Sequence, residues 1–257
     1  MIHPTAIVHP RAHLGANVSI GPYTIIDEHV VLGEGTQVGA HAVITGHTQI
    51  GRDNKIFQFV SLGEVPQDKK YAGEPTRLEI GDRNTIREFC TFNLGTIQDA
   101  GVTRIGSDNW LMAYVHIAHD CVVGNHTIFA NNASLAGHVQ IDDHVILGGF
   151  TGVHQFCKVG AHVITAVGCA VYKDVPPYVM AAGCDGAKPN GINSEGLKRR
   201  GFSTDAIAAV KQAYKILYRK GLTLEEAKVA LMDQVREHPE VQPILDFLTL
   251  STRGIIR

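Results

Sequence analysis

The sequence lacks long apolar runs, and it has no excess of charge of either sign. No stretch of 18 apolar residues occurs, so the composition offers no candidate for a transmembrane helix. The Met1–Pro4 start lacks the charged-then-apolar pattern of a signal peptide. Lys and Arg number 23 against 25 Asp and Glu, which favours neither a nucleic-acid binder nor a cationic membrane protein. We therefore expect a soluble cytoplasmic protein without membrane insertion.

The chain also has few cysteines, and their spacing does not indicate disulfide pairs. The five cysteines show no CxxC spacing, and their odd number argues against a disulfide framework. What the chain does have is length and apolar content, with 257 residues of which 44% are hydrophobic. That is enough for one or two globular domains with a sizeable core.

An aliphatic or aromatic residue recurs every sixth position along most of the chain. The frame runs from Ile2 to Leu62, resumes from Ile80 to Phe92, and resumes again from Ile105 to Val171. Among its 26 positions only Thr165 is polar. A small or β-branched residue usually follows four positions later, and glycine often follows the anchor directly. This period indicates a solenoid with three short flat faces per 18-residue coil, and we expect the glycines at tightly turning corners.

The six-residue frame resembles the hexapeptide-repeat family, whose fold is a left-handed parallel β-helix. The left hand comes from the resemblance and not from the spacing. We predict a mainly β domain over residues 1–190, with polar loops ejected at about 65–79 and 93–104. Such loops are places where binding groups tend to lie.

The remaining residues, 191–257, are predicted to form an α-helical domain that caps the open end of the solenoid. Ser203 is a plausible N-cap for a helix through Lys220, with Gly221 as its stop. The segment Thr223–Glu226 fits a capping box that opens a second helix, ending near His238–Pro239. A third helix is expected from about Glu240 to Leu250.

The 18-residue period aligns three segments that carry the polar residues of interest. Ile117–Cys121, Leu135–Val139 and Val153–Cys157 stack about 4.8 Å apart per coil, so Gly137 follows His119 in one column. Asp120 lies under His138. We expect the side chains of His119 and Asp120 to project outward. An imidazole, an adjacent carboxylate and an unshielded backbone N–H suit general-base catalysis.

Two other interpretations of the His119 cluster stay open from spacing alone. The histidine can be structural, or several imidazoles can hold zinc, as in the related γ-type carbonic anhydrases. No third imidazole lies at matching depth, because Asp120, Gly137 and Gln155 crowd the position. We therefore predict no metal.

The segments His116–Cys121, Leu135–Val139, Val153–Cys157 and Glu195–Phe202 (EGLKRRGF) together resemble one enzyme family. It is the acyl carrier protein–UDP-N-acetylglucosamine O-acyltransferase family, and the resemblance extends from Ile2 to Arg257. It implies transfer of an (R)-3-hydroxyacyl chain from acyl carrier protein to the 3-hydroxyl of UDP-N-acetylglucosamine, the first step of lipid A biosynthesis. It also implies a homotrimer and no cofactor, because the acyl donor is a 4′-phosphopantetheine thioester on the carrier protein.

The resemblance also implies roles for individual residues. His119 would be the general base, Asp120 would orient it, and the N–H of Gly137 would bind the developing oxyanion. Positions that match substrate-binding residues of the family are Gln67, Asp68, Lys70, His116, His138, Gln155, Asn193, Glu195, Arg199 and Arg200.

The chain departs from the family pattern at two places. The segment Thr91–Thr96 (TFNLGT) has Asn93 and Leu94 where many members have His and Arg, which affects expected contacts near the sugar phosphate. Val167 aligns with a glycine of long-chain members, so we predict that it shortens the preferred acyl chain. The alternatives are N-acylation of a 3-amino sugar nucleotide and a non-catalytic scaffold. The presence of His119, Asp120 and Gly137 argues against the scaffold.

Overall fold

The computed structural model describes residues 1–257, and its N-terminal part is a parallel β-helix with three faces. The strands form sheets of nine, eight and ten members. Strands that neighbour each other in a sheet pair in parallel, and Ile7 pairs with Ile25 and Ile25 with Val43. The predicted 18-residue coil is therefore confirmed.

Most strands contain two residues, and each coil contributes one strand to each sheet. The first sheet contains Ile7–Val8, Ile25–Ile26, Val43–Ile44, Ser61–Glu64, Thr91–Asn93, His116–Ile117, Ser134–Leu135, Gly152–Val153 and Ala170–Val171. The second contains His13–Leu14, Val31–Leu32, His47–Ile50, Arg77–Ile80, Val102–Ile105, Val122–Val123, Gln140–Ile141 and Lys158–Val159. The third contains Ser19–Ile20, Gln37–Val38, Lys55–Ile56, Thr85–Ile86, Trp110–Leu111, Ile128–Phe129, Ile146–Leu147, Ile164–Thr165, Val179–Ala182 and Lys188–Ile192, of which the last two pair antiparallel.

From Ile20 onward the six-residue anchors point into the prism, where the apolar ones belong to one core of 58 buried residues that continues into the helices. The polar exception, Thr165, is buried as well. Its hydroxyl lies 2.8 Å from that of Thr151 and accepts from the N–H of Gly148 at 2.9 Å. Ile2, in the first coil, is the exception among the anchors and is 48% exposed.

The glycines that follow the anchors are explained by contact between coils and not by the turn. A Cβ on Gly33 would lie 2.5 Å from the carbonyl carbon of Gly51 in the next coil. The residues that need the left-handed backbone region lie elsewhere, at the second position of each corner. Asp120, His138 and Phe156 have φ of 59°, 63° and 65°. Asp and His tolerate this region better than most side chains.

Both ejected loops are shorter than predicted. Arg77–Ile80 and Val102–Ile105 are paired strands of the second sheet, so the loops span 65–76 and 94–101 and not 65–79 and 93–104. After each loop, four residues pair in parallel within the second sheet. The strands are therefore longer, and the loops shorter, than predicted. Both loops leave between the first and second sheets. His119 lies at this same corner, which we name the His119 corner.

The helices begin after the last strand. They are α1 (Ser194–Arg199), α2 (Thr204–Tyr218), α3 (Leu224–Glu237) and α4 (Gln242–Leu250), with a 3-10 turn at Pro239–Val241 before α4.

The N-caps Ser203 and Thr223 are confirmed, and Glu226 completes the capping box. Helix α2 ends two residues before the predicted Lys220, because the chain turns away towards Gly221 at φ 69°. The third predicted helix starts as the 3-10 turn. Helix α1 was not predicted, since six residues are too few to show a helical period.

The helices pack on the final coil of the solenoid. The Tyr178 hydroxyl donates to the carbonyl of Glu240 at 3.1 Å, and the Tyr214 hydroxyl accepts from the N–H of Gly191 at 2.9 Å. A short parallel bridge joins Asp174 to Ile255. None of the helices combines the length and the apolar character that crossing a bilayer requires.

Candidate active site

His119 and Asp120 form a buried hydrogen-bonded pair. The His119 Nδ1 lies 2.9 Å from Asp120 Oδ2, and the two side chains are 15% and 1% exposed. Because a carboxylate only accepts, Nδ1 carries the proton and Nε2 of the neutral ring keeps its lone pair. Nε2 has no hydrogen-bond partner in the chain and is not enclosed. The imidazole is therefore set up to accept a proton from an external group.

Asp120 projects from the solenoid but is not exposed to solvent, because the loop 94–101 covers it. The carboxylate accepts from the backbone N–H of Thr96 at 2.8 Å and from its hydroxyl at 2.6 Å. The N–H of Asp120 donates to the Thr103 hydroxyl at 2.9 Å. Burial raises the pKa of the Asp120 carboxyl, but hydrogen bonds from His119 and Thr96 outweigh burial and leave it below its usual range. The carboxylate is thus charged and fixed.

Gly137 lies directly against the His119 ring. A Cβ at this position would be 2.5 Å from Cε1 and 2.7 Å from Nε2 of the imidazole, so no side chain fits while the ring stays in place. The N–H of Gly137 donates no hydrogen bond within the chain. The corner residues Gly149 and Gln155 share this property. At Gly137 this N–H belongs to the residue that packs against the His119 ring.

His138 and His116 complete the cluster. The His138 ring stacks on Phe156 at 4.4 Å and meets His119 edge-on at 5.0 Å. His116 Nδ1 lies 2.8 Å from the Thr91 hydroxyl, and burial, with a contribution from neighbouring His119, lowers the pKa of His116. The structure therefore brings His116, His119, Asp120, Gly137 and His138 together. Gln155 follows in the next coil with an exposed side chain that makes no hydrogen bond.

The loop 65–76 carries Gln67, Asp68 and Lys70, and it leaves the His119 corner two coils before His119. Asp68 accepts from the N–H of Lys70 at 3.0 Å, and their side chains approach to 4.0 Å. Within the chain, none of the three forms a hydrogen bond or ion pair with His119, Asp120 or Gly137.

The C-terminal candidates lie at the opposite edge of the second sheet. We name this edge the His162 corner, where His126, His144 and His162 stack at 5.0 and 4.8 Å. Asn193 donates to the carbonyl of His162 at 3.0 Å, and its side-chain oxygen caps α1. Arg200 is near enough to lower the pKa of His144, after burial of that ring. Glu195 pairs with Lys198 at 2.8 Å, and Arg199 is exposed. Within one chain, these four C-terminal residues therefore do not lie beside His119.

Sequence reasoning missed three residues that hold the cluster, namely Thr96, Asp99 and Thr103. Their partners are 17 to 39 residues away, so no local motif marks them. The break in the six-residue frame nevertheless indicates where this loop lies. The frame breaks between Phe92 of the first sheet and Ile105 of the second, so the loop has to leave at the corner that holds His119.

The departures at Asn93 and Leu94 lie inside the molecule. The Asn93 amide donates to the carbonyls of Glu64 and Val65 at 3.3 and 3.1 Å, and Leu94 is 4% exposed. Together they join the bases of the two loops.

The cysteines show none of the features of nucleophiles. Four of them are buried, all five are free, and only Cys184 is exposed. Burial raises the pKa of Cys90 and Cys121 to about 12, and that of Cys157 and Cys169 to about 11.

His119, Asp120 and His138 place possible metal-ligand atoms within 4.8 Å of one another. Asp120 Oδ2 is already hydrogen-bonded to His119 and Thr96, whereas Nδ1 of His138 is bonded to Asp99. The donor set is therefore arranged as a proton-transfer pair and not around a common centre.

Comparison with known proteins bears on the whole chain. Residues 174–256 match the family model described as UDP-N-acetylglucosamine O-acyltransferase, domain 2, and residues 103–137 match the bacterial transferase hexapeptide model. The acyl-[acyl-carrier-protein]–UDP-N-acetylglucosamine O-acyltransferase of Thiobacillus denitrificans is 70% identical over 256 residues, covering 100% of this chain and 99% of that protein.

This chain belongs to that O-acyltransferase family.

Solved structures of the O-acyltransferase family superimpose along the full chain. LpxA from Acinetobacter baumannii is 49% identical with a TM-score of 0.97, covering 100% of this chain and 99% of that one. The Francisella novicida UDP-N-acetylglucosamine acyltransferase is 44% identical with a TM-score of 0.98, covering 100% and 94%. The left-handed parallel β-helix with C-terminal helices, expected from the resemblance, is confirmed by these matches.

Proposed function

We propose that the protein transfers an (R)-3-hydroxyacyl chain from acyl carrier protein to the glucosamine 3-hydroxyl of UDP-N-acetylglucosamine, as the first step of lipid A biosynthesis. The observation that carries this proposal is the His119 Nε2 atom, open to the outside, backed by Asp120 and placed against Gly137. The substrates are taken from the names of the relatives. The His119–Asp120 pair is the group that can activate a hydroxyl.

The reaction needs one proton acceptor and one oxyanion donor. His119 Nε2 takes the proton of the 3-hydroxyl while the sugar oxygen attacks the thioester carbon. The Gly137 N–H binds the oxygen that becomes negative in the tetrahedral intermediate. The C–S bond then breaks, and the imidazolium returns the proton to the departing phosphopantetheine thiolate. The Asp120 carboxylate stabilises the imidazolium between the two transfers.

No covalent acyl-enzyme is part of this scheme, which agrees with the high pKa values of the buried thiols. The scheme also needs no resident cofactor, because the phosphopantetheine group arrives as part of the carrier-protein substrate.

We further propose that the active form is a cytoplasmic homotrimer with the cleft between subunits. The support is the separation of the candidate residues in one chain. His119, Asp120 and Gly137 lie at the His119 corner, whereas Asn193, Arg199 and Arg200 lie near the His162 corner. A neighbouring copy can bring the second set to the first. Arg199 and Arg200 suit the nucleotide diphosphate, because a guanidinium binds phosphate oxygens in a bidentate manner.

The test is acyl transfer by purified full-length protein, with product mass as the readout. UDP-N-acetylglucosamine and its 3-amino analogue are offered separately with the same hydroxyacyl carrier protein. We expect the O-acylated product, and we expect His119→Ala to reduce kcat about 100- to 10,000-fold, the range of a lost general base.

The matched control is His3→Ala, because His3 is exposed in the first coil and its side chain hydrogen-bonds only to Thr5. Near wild-type turnover by His119→Ala would defeat the mechanism. Faster reaction of the amino analogue would replace O-transfer by N-transfer. Absence of any product would leave the scaffold interpretation. Metal analysis of protein purified without added zinc completes the set, since stoichiometric zinc contradicts a metal-free site.

A further inference from the structure

The loop 94–101 supplies a second carboxylate to the His119 corner that the proposed reaction has not used. Asp99 Oδ2 lies 2.8 Å from Nδ1 of His138, a residue 39 positions later in the chain. The same loop holds Asp120 through Thr96. One loop therefore holds both Asp120 and His138, which follow each other in one column.

The Asp99 carboxylate is fixed by its own loop before it meets the histidine. Its Oδ1 accepts from the N–H of Ala100 at 2.9 Å, which leaves Oδ2 for His138. The N–H groups of Asp99 and Gly101 both donate to the carbonyl of Thr96, at 3.3 and 3.1 Å. Asp99 is 52% exposed, so the charge pair alone adds little stability. The contact instead orients the His138 ring.

The His138 ring is confined on its other sides. Phe156 covers one face, His119 meets it edge-on, and Asp120 Oδ2 is 3.8 Å from the same Nδ1 atom. The Nε2 atom has no partner in the chain and is not enclosed. Asp99 thus decides which ring nitrogen carries the proton.

We propose that Asp99 is a positioning residue that holds His138 as the Nδ1–H tautomer. Nε2 of His138 then presents a lone pair to the cleft and accepts a hydrogen bond from a hydroxyl or N–H of the bound sugar nucleotide. His138 repeats the arrangement of His119, with a carboxylate behind one nitrogen and the other nitrogen open. The identity of that ligand rests on the proposed function, but the tautomer does not.

The first measurement is NMR of the full-length protein labelled with 15N-histidine, with the His138 signals assigned by His138→Gln. In wild type at neutral pH we expect the proton on Nδ1. In Asp99→Ala we expect a mixture, because the Nε2–H form is no longer disfavoured. A wild-type ring protonated on Nε2 overturns the proposal. So does an Asp99→Ala ring that stays fully Nδ1–H, which would assign the role to Asp120.

The second measurement is kinetic. Asp99→Ala should lower kcat/KM about 10- to 100-fold, as expected for loss of a hydrogen bond to a charged group. Asp99→Asn keeps an acceptor oxygen, so it should retain the tautomer and lose less activity. Asp185→Asn is the matched control, because Asp185 is exposed and forms no hydrogen bond or ion pair.

Equal losses in Asp99→Asn and Asp99→Ala, with the tautomer unchanged, would overturn positioning. If the protein transfers no acyl group at all, the proposed function fails while the NMR result still decides the role of Asp99.

Discussion

The chemistry that we propose for this protein depends on individual residues at one corner of a repeating frame. Several corners leave an N–H without a partner in the chain, and many corners carry a histidine. What distinguishes the His119 corner is the combination of an imidazole, a buried carboxylate and a glycine where neighbouring columns have side chains. Removing any one of these three should therefore affect the reaction without affecting the fold.

Gly137 offers the sharpest residue-scale prediction. In Gly137→Ala the new methyl group would overlap the His119 imidazole at 2.5 to 2.7 Å, so the ring has to move away from its position. We expect kcat to fall about 100-fold, in line with the cost of misplaced catalytic groups, while the urea midpoint changes little.

Steady-state kinetics and urea unfolding of this variant are the measurements. Gly152→Ala is the control, because a Cβ there meets nothing within 4 Å. Unchanged kcat in Gly137→Ala would show that the ring position is not critical.

Val167 is the residue-scale prediction for acyl length. Its side chain is 76% exposed, and its Cγ2 lies 3.9 Å from where a Cβ on Gly149 would be. We expect Val167→Gly to raise kcat/KM for longer hydroxyacyl donors by about 10-fold, because the smaller residue leaves room for one or two more methylene groups of the acyl chain. The measurement is a competition between donors of different length. No gain with longer donors would contradict the assignment.

At the scale of elements, the sequence predicts those that repeat and misses those that occur once. The six-residue anchors specify the strands because every coil buries the same slots, and the Thr223–Glu226 box specifies where α3 begins. Helix α1 and the contacts of the loop 94–101 have no period, since their energy comes from partners far along the chain. The burial of Asp120 under this loop was not predicted for the same reason. The hexad places a side chain on a coil but does not show which loop covers it.

The His162 corner makes the junction of solenoid and helices sensitive to acid. Burial, with further contributions from His144 and Arg200 and an opposing one from Asp143, lowers the pKa of His162 to about 4. Phe202 and Tyr178 pack on the ring. As the pH falls, His162 is therefore protonated in the unfolded chain before it is protonated in the folded chain. The stability contributed by neutral His162 is complete above about pH 6.5 and is lost towards pH 4.

We expect the free energy of unfolding to fall by about 1–2 kcal/mol between pH 7 and pH 4.5 on account of this group, because partial exposure of the ring screens the full effect. Urea unfolding followed by helical circular dichroism measures it. His162→Gln should show a flatter pH dependence below pH 6.5. An identical slope in both proteins would assign the acid sensitivity to other groups.

At the scale of the whole molecule, the division of candidate residues between two corners predicts complementation. His119→Ala and Arg199→Ala subunits are each expected to be inactive when no other subunit is present. If the cleft lies between copies, an equal random mixture should recover about one quarter of wild-type activity, since one in four clefts pairs two intact corners.

Coexpression followed by the acyl-transfer assay is the measurement. His119→Ala mixed with Asp120→Ala is the control, because both residues come from one corner of one subunit and no intact cleft forms. Recovery in the control, or none in the test pair, would contradict a shared cleft.

The exposed first coil, with Ile2 open to solvent, has a consequence for how this architecture can change length. The segment from 21 to 38 spans one full turn, and its removal would join Ile20 to Gly39 in the same slot that Gly21 occupies now. Each turn touches only its neighbours, so such a change leaves the distant His119 corner as it is. Insertions and deletions in whole turns are therefore modular and near-neutral for chemistry, whereas the loss of a single residue would rotate every later side chain off its face.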